Sequence, residues 1–515
     1  MQLPKAPLTR TDEIPERTNP MTTTERAPST GSNPIPQTRH RWWVLVAVSV
    51  AQLMVVLDSS IVNIALPAAQ ADLGFDDAGR QWIVTGYALS FGSLLLLAGR
   101  LNDLIGRRRS FLIGLAGFAA ASALAGFAPD FGVLVTARIL QGTFAALLAP
   151  AGLSLLTSTF RESKERARAL GIFGAIAGAG GAVGLLLGGV LTEYTSWRWC
   201  LYVNLFFAGF AFIAGRAFLP ADVSSSKKIA LDLPGSITAV LALFGVVYGL
   251  GNAENEGWTS PLTLIPLIGG GVLLAVFVLI ERRASNPLLP LRLVADRTRG
   301  GAYIVLAITG AGMFGIFLFL TYYLIQALGF TSLQTGAAFM PMVAALVVSA
   351  SIIGVWATSR FGARVPVAAG GVIVAFGMFL LTRLQLDSTY LLNVVPALVI
   401  IGLGLGLVFS AVQIAALAGV ETRDGGAAGA MVNTMQQIGG SIGIAVLSAV
   451  SAGQAAAALT GSNPTAVAQA EAALAGYHAV FWCSLGFFLL ASLAALLLIK
   501  RGQLPQNPDI AVAAH

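Results

Sequence analysis

"WWVLVAVSVAQLMVVLDSSIVNIALP", residues 42–67, decides the fold. The stretch is almost wholly apolar and exceeds the roughly 20 residues that cross a ~30 Å hydrocarbon core. It holds one aspartate, Asp58, and a polar group, Ser59, Ser60 and Asn63, ahead of Pro67. A charge at the centre of a membrane helix costs ~2.5–3.5 kcal/mol on insertion scales. Such a residue is a functional candidate by default. Pro67 is expected to mark the outer end of the span.

The rest of the chain repeats the pattern. Its 515 residues are 56% hydrophobic and 11% charged, with mean hydropathy +0.78. Soluble domains carry about 25% charged residues, so a set of ordinary soluble domains is excluded. Apolar stretches of membrane-crossing length recur near 42–66, 81–99, 110–128, 131–155, 170–192, 199–219 and 233–252. They continue near 262–280, 300–327, 334–358, 365–383, 390–417, 426–452 and 477–499. Fourteen helices are therefore expected, with both termini on one side of the membrane.

Arginine and lysine placement gives the orientation. One set of loops carries Arg100, Arg107, Arg108 and Arg109, then Arg161, Lys164, Arg166 and Arg168, then Lys227 and Lys228. Further basic groups follow at Arg282, Arg283, Arg292, Arg297, Arg299, Arg360, Arg364, Lys500 and Arg501. The alternate loops hold mainly acids, among them Asp72, Asp130, Glu193, Asp387 and Glu471. Both termini are thus expected in the cytoplasm, in a multi-pass protein of the cytoplasmic membrane.

A faint repeat links "GRLNDLIGRRR" (99–109), after the second span, with "VWATSRFGAR" (355–364), after the tenth. The glycine-rich fifth span has a counterpart in the thirteenth. The expected organisation is a disordered cytoplasmic tail (1–41, with Met21 an alternative start to Met1) and a six-helix bundle (42–220). Two inserted helices with linkers (221–299), a second six-helix bundle (300–500) and a short tail (501–515) complete it. The fold class is an all-α integral membrane protein of two bundles plus two inserted helices, and parallel repeats of this kind are a transporter architecture.

Well inside the spans, the ionised residues are Asp58 and Arg138. Asp58 lies nine residues before Pro67, and Arg138 seven residues after Phe131. At ~1.5 Å per residue both sit roughly 10–14 Å below the outer surface, so they meet if the first and fourth helices are neighbours. The pair has two readings: a static ion pair, or a proton-coupling site whose carboxylate stays ionised until a proton or cationic substrate competes.

Going round the first helix, Ser49, Gln52, Ser59, Ser60 and Asn63 cluster away from Asp58. They either line a substrate cavity or bond neighbouring helices. Gln141, on the Arg138 face of the fourth span, and Asn433 and Gln437 of the thirteenth are further candidates for the substrate cavity. Gly174, Gly178, Gly181, Gly184 and Gly188 are expected to share a face on the fifth, and Asn433 and Gln437 accompany glycines on the thirteenth. Gly99, Asp103, Gly106, Arg107 and Arg108 form a mixed-charge turn able to hold a cytoplasmic gate shut.

Cys200 and Cys483 sit in apolar runs, and His40, His478 and His515 lack metal-ligand spacing. No phosphate loop, dinucleotide fingerprint or nucleophile elbow occurs. An enzyme, a bound cofactor, a metal site and a nucleic-acid partner are not expected.

Together these stretches resemble the major facilitator superfamily, and within it the fourteen-span drug:proton antiporters of the EmrB and QacA type. "LDSSIVNIALP" (57–67) resembles that group's first-helix signature, and "GRLNDLIGRRR" the superfamily's loop motif. "RILQGTFAA" (138–146) resembles the fourth-helix motif whose arginine is implicated in proton coupling. "GAGGAVGLLLGG" (178–189) is similar to the helix-5 antiporter motif, which places Gly180, Gly181, Gly184, Gly188 and Gly189 in it. "SWRWCLYVN" (196–204), "LDLPGS" (231–236), "ERRASNPLLPLRL" (281–293) and "GAAGAMVNTMQQIGGSIG" (426–443) resemble later family stretches. Leu185 and Phe206 stand where prolines are usual, and Gln436 where many relatives have arginine.

The resemblance implies alternating access and export of hydrophobic or amphipathic drugs in exchange for protons. Dedicated export of one endogenous antibiotic, siderophore or lipid is the alternative, with an importing symporter behind it. Phe314, Phe317, Tyr322, Tyr323 and Gln326 of the ninth span are candidates for the cavity wall. The expected partners are protons, a small substrate and lipid, acting on a monomer, with a periplasmic adaptor where the host has an outer membrane.

Overall fold

The computed structural model describes residues 40–75, 77–160, 162–221, 232–255, 257–421, 424–459 and 465–502. The expected disorder of 1–39, the tail at 503–515 and the linker at 222–231 lie outside these. Every regular element among the described residues is helical, as lipid demands of a chain that must satisfy its own backbone.

The first eight long helices are α1 (Arg41–Leu73), α2 (Asp77–Ile105), α3 (Arg107–Gly126), α4 (Phe131–Thr159), α5 (Ser163–Tyr194), α6 (Trp199–Phe218), α7 (Leu233–Asn255) and α8 (Pro261–Arg283). A single turn, Leu291–Ala295, leads to α9 (Arg297–Gln326) and α10 (Leu333–Phe361). The chain then forms α11 (Arg364–Leu381), α12 (Tyr390–Ala416), α13 (Gly425–Ala458) and α14 (Ala466–Leu498). Thirteen of them are long and apolar enough to cross a membrane. The glycine-rich α5 contributes a shorter apolar segment, Val183–Tyr194, among its described residues. Helix starts follow capping chemistry: Asp130 accepts the Val133 N–H at α4, and Thr331 with Gln334 forms a capping box ahead of α10.

Several helices run beyond the expected spans, α14 starting at Ala466 rather than near 477, and one end differs for a clear physical reason. Pro67 does not close α1; the helix continues through it to Leu73. A proline removes one backbone bond but does not by itself end a helix held by its neighbours. The stop comes from Gly74, whose left-handed backbone (φ 70°) returns its N–H to the Gln70 carbonyl. Three π-helical turns occur among the described residues: Gly315–Phe319 and Ser349–Ile353 interrupt α9 and α10, and Tyr390–Val394 opens α12. Residue type gave no sign of them.

The packing pairs show the repeat. In the first half α1 packs on α4, α5 and α6, α2 on α4, and α3 on α4 and α6. Adding eight to each label gives pairs found in the second half: α9 on α12, α13 and α14, α10 on α12, and α11 on α12 and α14. The two halves meet where α13 touches α2 and α4, and where α5 touches α10 and α12. The inserted α7 and α8 pair with each other, and α7 lies against both α2 and α13. The insertion therefore flanks a seam between the halves, while Ile265 and Ile268 of α8 point outward.

Small residues permit that seam. A Cβ on Gly99 of α2 would fall 2.6 Å from the Ala430 Cβ and 2.7 Å from the Gly426 carbonyl oxygen of α13. A Gly99→Val variant should therefore prise the arginine-rich ends of the halves apart. Overpacking of this kind typically costs ~1–3 kcal/mol. The expected result is a lower thermal unfolding midpoint in detergent together with lost transport.

Candidate functional site

The site begins with α1 and α4, which pack together. Asp58 is wholly buried and Arg138 is 1% exposed. Arg138 Nη1 donates to Asp58 Oδ2 at 2.5 Å. The depth match read from the sequence therefore corresponds to a direct ion pair. Gln141, one turn along α4, donates from Nε2 to Asp58 Oδ1 at 3.0 Å and to Ser122 Oγ of α3 at 2.7 Å. Its Oε1 accepts from Arg138 Nη1 at 2.9 Å. Asn204 of α6 donates to Asp58 Oδ1 at 2.6 Å.

Helix α2 closes the remaining side. The Arg138 guanidinium lies 4.4 Å from the centre of the Tyr87 ring, a cation–π contact. Tyr87 donates to the Val55 carbonyl of α1, and Arg138 Nε reaches the Ile83 carbonyl. Gly142 allows this approach, since a side chain there would overlap the Tyr87 carbonyl. Five helices thus converge on one carboxylate. A cavity of about 10 Å³, room for roughly one water, touches Arg138 beside Val62, Leu134 and Trp197.

Such a knot is a charge balance held by hydrogen bonds. Ionised, Asp58 accepts from a guanidinium and two amides, which offsets part of the desolvation of both charges. Protonated, it no longer balances Arg138, and the tie between α1 and α4 weakens.

The other expected site residues separate into groups. Gln141 is fully buried and belongs to the knot. Ser60 donates to backbone carbonyls of its own helix and faces Gly184 of α5, so it serves helix packing. Ser59 is exposed and donates to the Val56 carbonyl, Gln52 is half-buried, and the Asn63 side chain lies outside the described residues. Tyr323 turns inward from the expected cavity wall. It is fully buried, and its hydroxyl donates to the Gln385 carbonyl at 2.6 Å.

Tyr322 and Gln326 are exposed, and Gln326 accepts from Tyr477. Asn433 bonds back to the Gly429 carbonyl, while Gln437 meets Gly92 across the α2–α13 seam. Gly180, Gly184 and Gly188 face α1, whereas Gly181 faces Phe317 of α9 and Gly174 faces Phe409 of α12. Gly189 is buried. The α5 glycines therefore serve neighbours in both halves, α1, α9 and α12, rather than sharing one face, because α5 lies between the halves.

At the arginine-rich end, Asp103 Oδ1 accepts from the Gly426 N–H of α13 at 3.2 Å, and Arg107 lies beside Gly425. Gly106 makes the turn with φ 103°, a conformation that favours glycine. Arg108 donates to the Arg216 carbonyl and so caps α6. Arg292 pairs with Glu421 and Asp424. The buried Glu281 of α8 accepts the Leu288 and Leu289 N–H groups and anchors the insertion here. At the other end Arg198 and Trp197 hold Asp72 and keep its carboxyl below the usual range.

Asn204, Ser122 and Tyr87 were not picked out from sequence. Asn204 had one legible signal: an amide five residues inside the otherwise apolar α6.

The sequence profile of the Major Facilitator Superfamily matches residues 48–444. The chain belongs to that superfamily. This facilitator is 45% identical over 461 residues to the puromycin resistance protein pur8 of Streptomyces alboniger, covering 89% of this chain and 91% of that protein. It is 37% identical to the cephamycin export protein CmcT of Amycolatopsis lactamdurans, covering 87% and 90%. A tetracenomycin C resistance and export protein of Streptomyces glaucescens is 33% identical, covering 79% and 75%. The crystal structure of the human organic anion transporter MFSD10 superposes with TM-score 0.62 at 15% identity, covering 88% of this chain and 99% of that one. That likeness is one of fold. The facilitator is thus a multi-pass membrane transporter of a small molecule.

Removing one member of a buried ion pair strands the other and typically costs ~3–5 kcal/mol. Asp58→Leu and Arg138→Met should each destabilise the detergent-purified protein by about that much. The double variant should be destabilised by less than either alone, read from unfolding midpoints in a double-mutant cycle.

Proposed function

We propose that this transporter expels hydrophobic or amphipathic antibiotics and similar toxic compounds in exchange for protons. The carrying observation is the dry Asp58–Arg138 pair, which spends membrane stability on a titratable group at the junction of five helices. The relatives' names, for resistance to or export of puromycin, cephamycin and tetracenomycin C, support the direction and class of cargo.

In this reading the bundles 42–220 and 300–500 are the rocking bodies. The Gly99–Gly426 contact and the Asp103 bond to α13 form the gate at the arginine-rich end. The positive-inside rule makes that end cytoplasmic, in the cytoplasmic membrane, with both termini on the same side. A proton entering from outside neutralises Asp58 and loosens α1 from α4. Release of that proton inward restores the pair as the cycle resets. The protein acts as a monomer, joined by a periplasmic adaptor where an outer membrane exists. Each of these relatives is named for a single compound or class, which favours a narrow cargo as the second reading.

Proteoliposomes carrying an imposed pH gradient test this. The wild type should move a fluorescent antibiotic analogue against its concentration. Asp58→Asn should fall to the background of empty liposomes while remaining in the membrane. Gradient-driven export at the wild-type rate by Asp58→Asn would overturn the reading. Resistance profiles across a compound panel, in cells with and without the gene, decide between broad and narrow cargo.

A further inference from the structure

Three groups donate to the Asp58 carboxylate, and one neighbouring atom is left over. Asn204 is fully buried, and while its Nδ2 donates to Asp58 Oδ1 at 2.6 Å, its own Oδ1 has no hydrogen-bond partner. A buried amide oxygen without a partner calls for an explanation.

The explanation lies in the second state of Asp58. A carboxylate only accepts hydrogen bonds, whereas a carboxylic acid also donates one. In a dry site that new O–H needs an acceptor. Arg138 offers none. Gln141 Oε1 and Ser122 Oγ each have one lone pair engaged, by Arg138 and by Gln141, whereas Asn204 Oδ1 is wholly unengaged. Among these side chains, the free acceptor beside Asp58 is Asn204 Oδ1. Turning the amide about its last bond exchanges Nδ2 for Oδ1 at the place that faces Asp58.

We propose that Asn204 is a two-way positioning residue, donating to Asp58 when it is ionised and accepting from it when it is protonated. This rests on the reading of Asp58 as the proton site. The proton adds to a carboxylate oxygen to form the O–H; Asn204 changes no covalent bond and only rotates. The charged and titratable groups facing Asp58 are Arg138 of α4 and Tyr87 of α2. Helix α3 brings Ser122, α6 brings Asn204, and α5 approaches with Gly184 against the backbone of Leu57. Without Asn204, the ionised state loses a charge-assisted bond and the acid loses a weaker neutral one. The acid form therefore gains relative to the carboxylate.

Infrared difference spectra of the full-length purified protein, acid minus neutral, with asparagine side-chain carbonyls isotope-labelled, test the proposal. The expected result is a carboxylic acid band that disappears in Asp58→Asn. It should be accompanied by a downshifted asparagine carbonyl band that disappears in both Asp58→Asn and Asn204→Leu. In Asn204→Leu the acid band should remain while the labelled carbonyl change is lost. An Asp58-dependent acid band with no labelled carbonyl change overturns the role of Asn204 and leaves the proton site standing. If no acid band depends on Asp58, both fall. The labelled carbonyl change in the wild type alone decides the matter if Asn204→Leu does not fold.

Discussion

A buried carboxylate paired with a buried guanidinium constrains the first half of this protein. Neither Asp58 nor Arg138 could be held in the bundle alone, and their mutual approach requires α1 and α4 to stay in register. The surrounding helices are fitted to that requirement. Gly142 lets α2 bring Tyr87 over the cation, and α3 and α6 supply neutral groups that complete the hydrogen bonding. The cluster is a charge balance maintained by geometry.

The second constraint is close approach between the halves. Glycine and alanine at the α2–α13 seam, and glycine along α5, let backbones touch without interlocking side chains. Interfaces of this kind can slide or part at low cost, which alternating access needs. The inserted α7 and α8 sit against one of these seams. Glu281 fixes the arginine-rich end of α8 by accepting two backbone N–H groups from the segment that leads to α9. The insertion is thus tied to the chain leading into the second half while its helix α7 leans on α2 of the first.

Much of this was legible in the sequence, for physical reasons. Hydropathy reports membrane spans directly, because lipid leaves the backbone few alternatives. Asp58 and Arg138 stood out because buried charge is costly, and helical rise turned their positions into matching depths. Azimuth and neighbour identity were harder. Neutral polar residues are common in spans, so Ser122 carried no mark that set it apart, and the amide of Asn204 inside α6 did not say what it would meet. Gln141 was assigned to a cavity because depth and face do not say which neighbour covers that face. Tyr323 was placed on the cavity wall for the same reason, and packing turned it to the Gln385 carbonyl. Pro67 misled because a helix supported by its neighbours tolerates a proline that would end an isolated one. The π turns depend on how α9, α10 and α12 pack, and composition does not encode that.

The most direct measurement of the central claim is proton release on adding substrate to the detergent-solubilised protein, followed with a pH indicator in weakly buffered solution. If Asp58 exchanges its proton for cargo, the wild type releases protons upon substrate addition in a pH-dependent way, and Asp58→Asn binds the same substrate without release. Equal release from the two proteins would contradict the account.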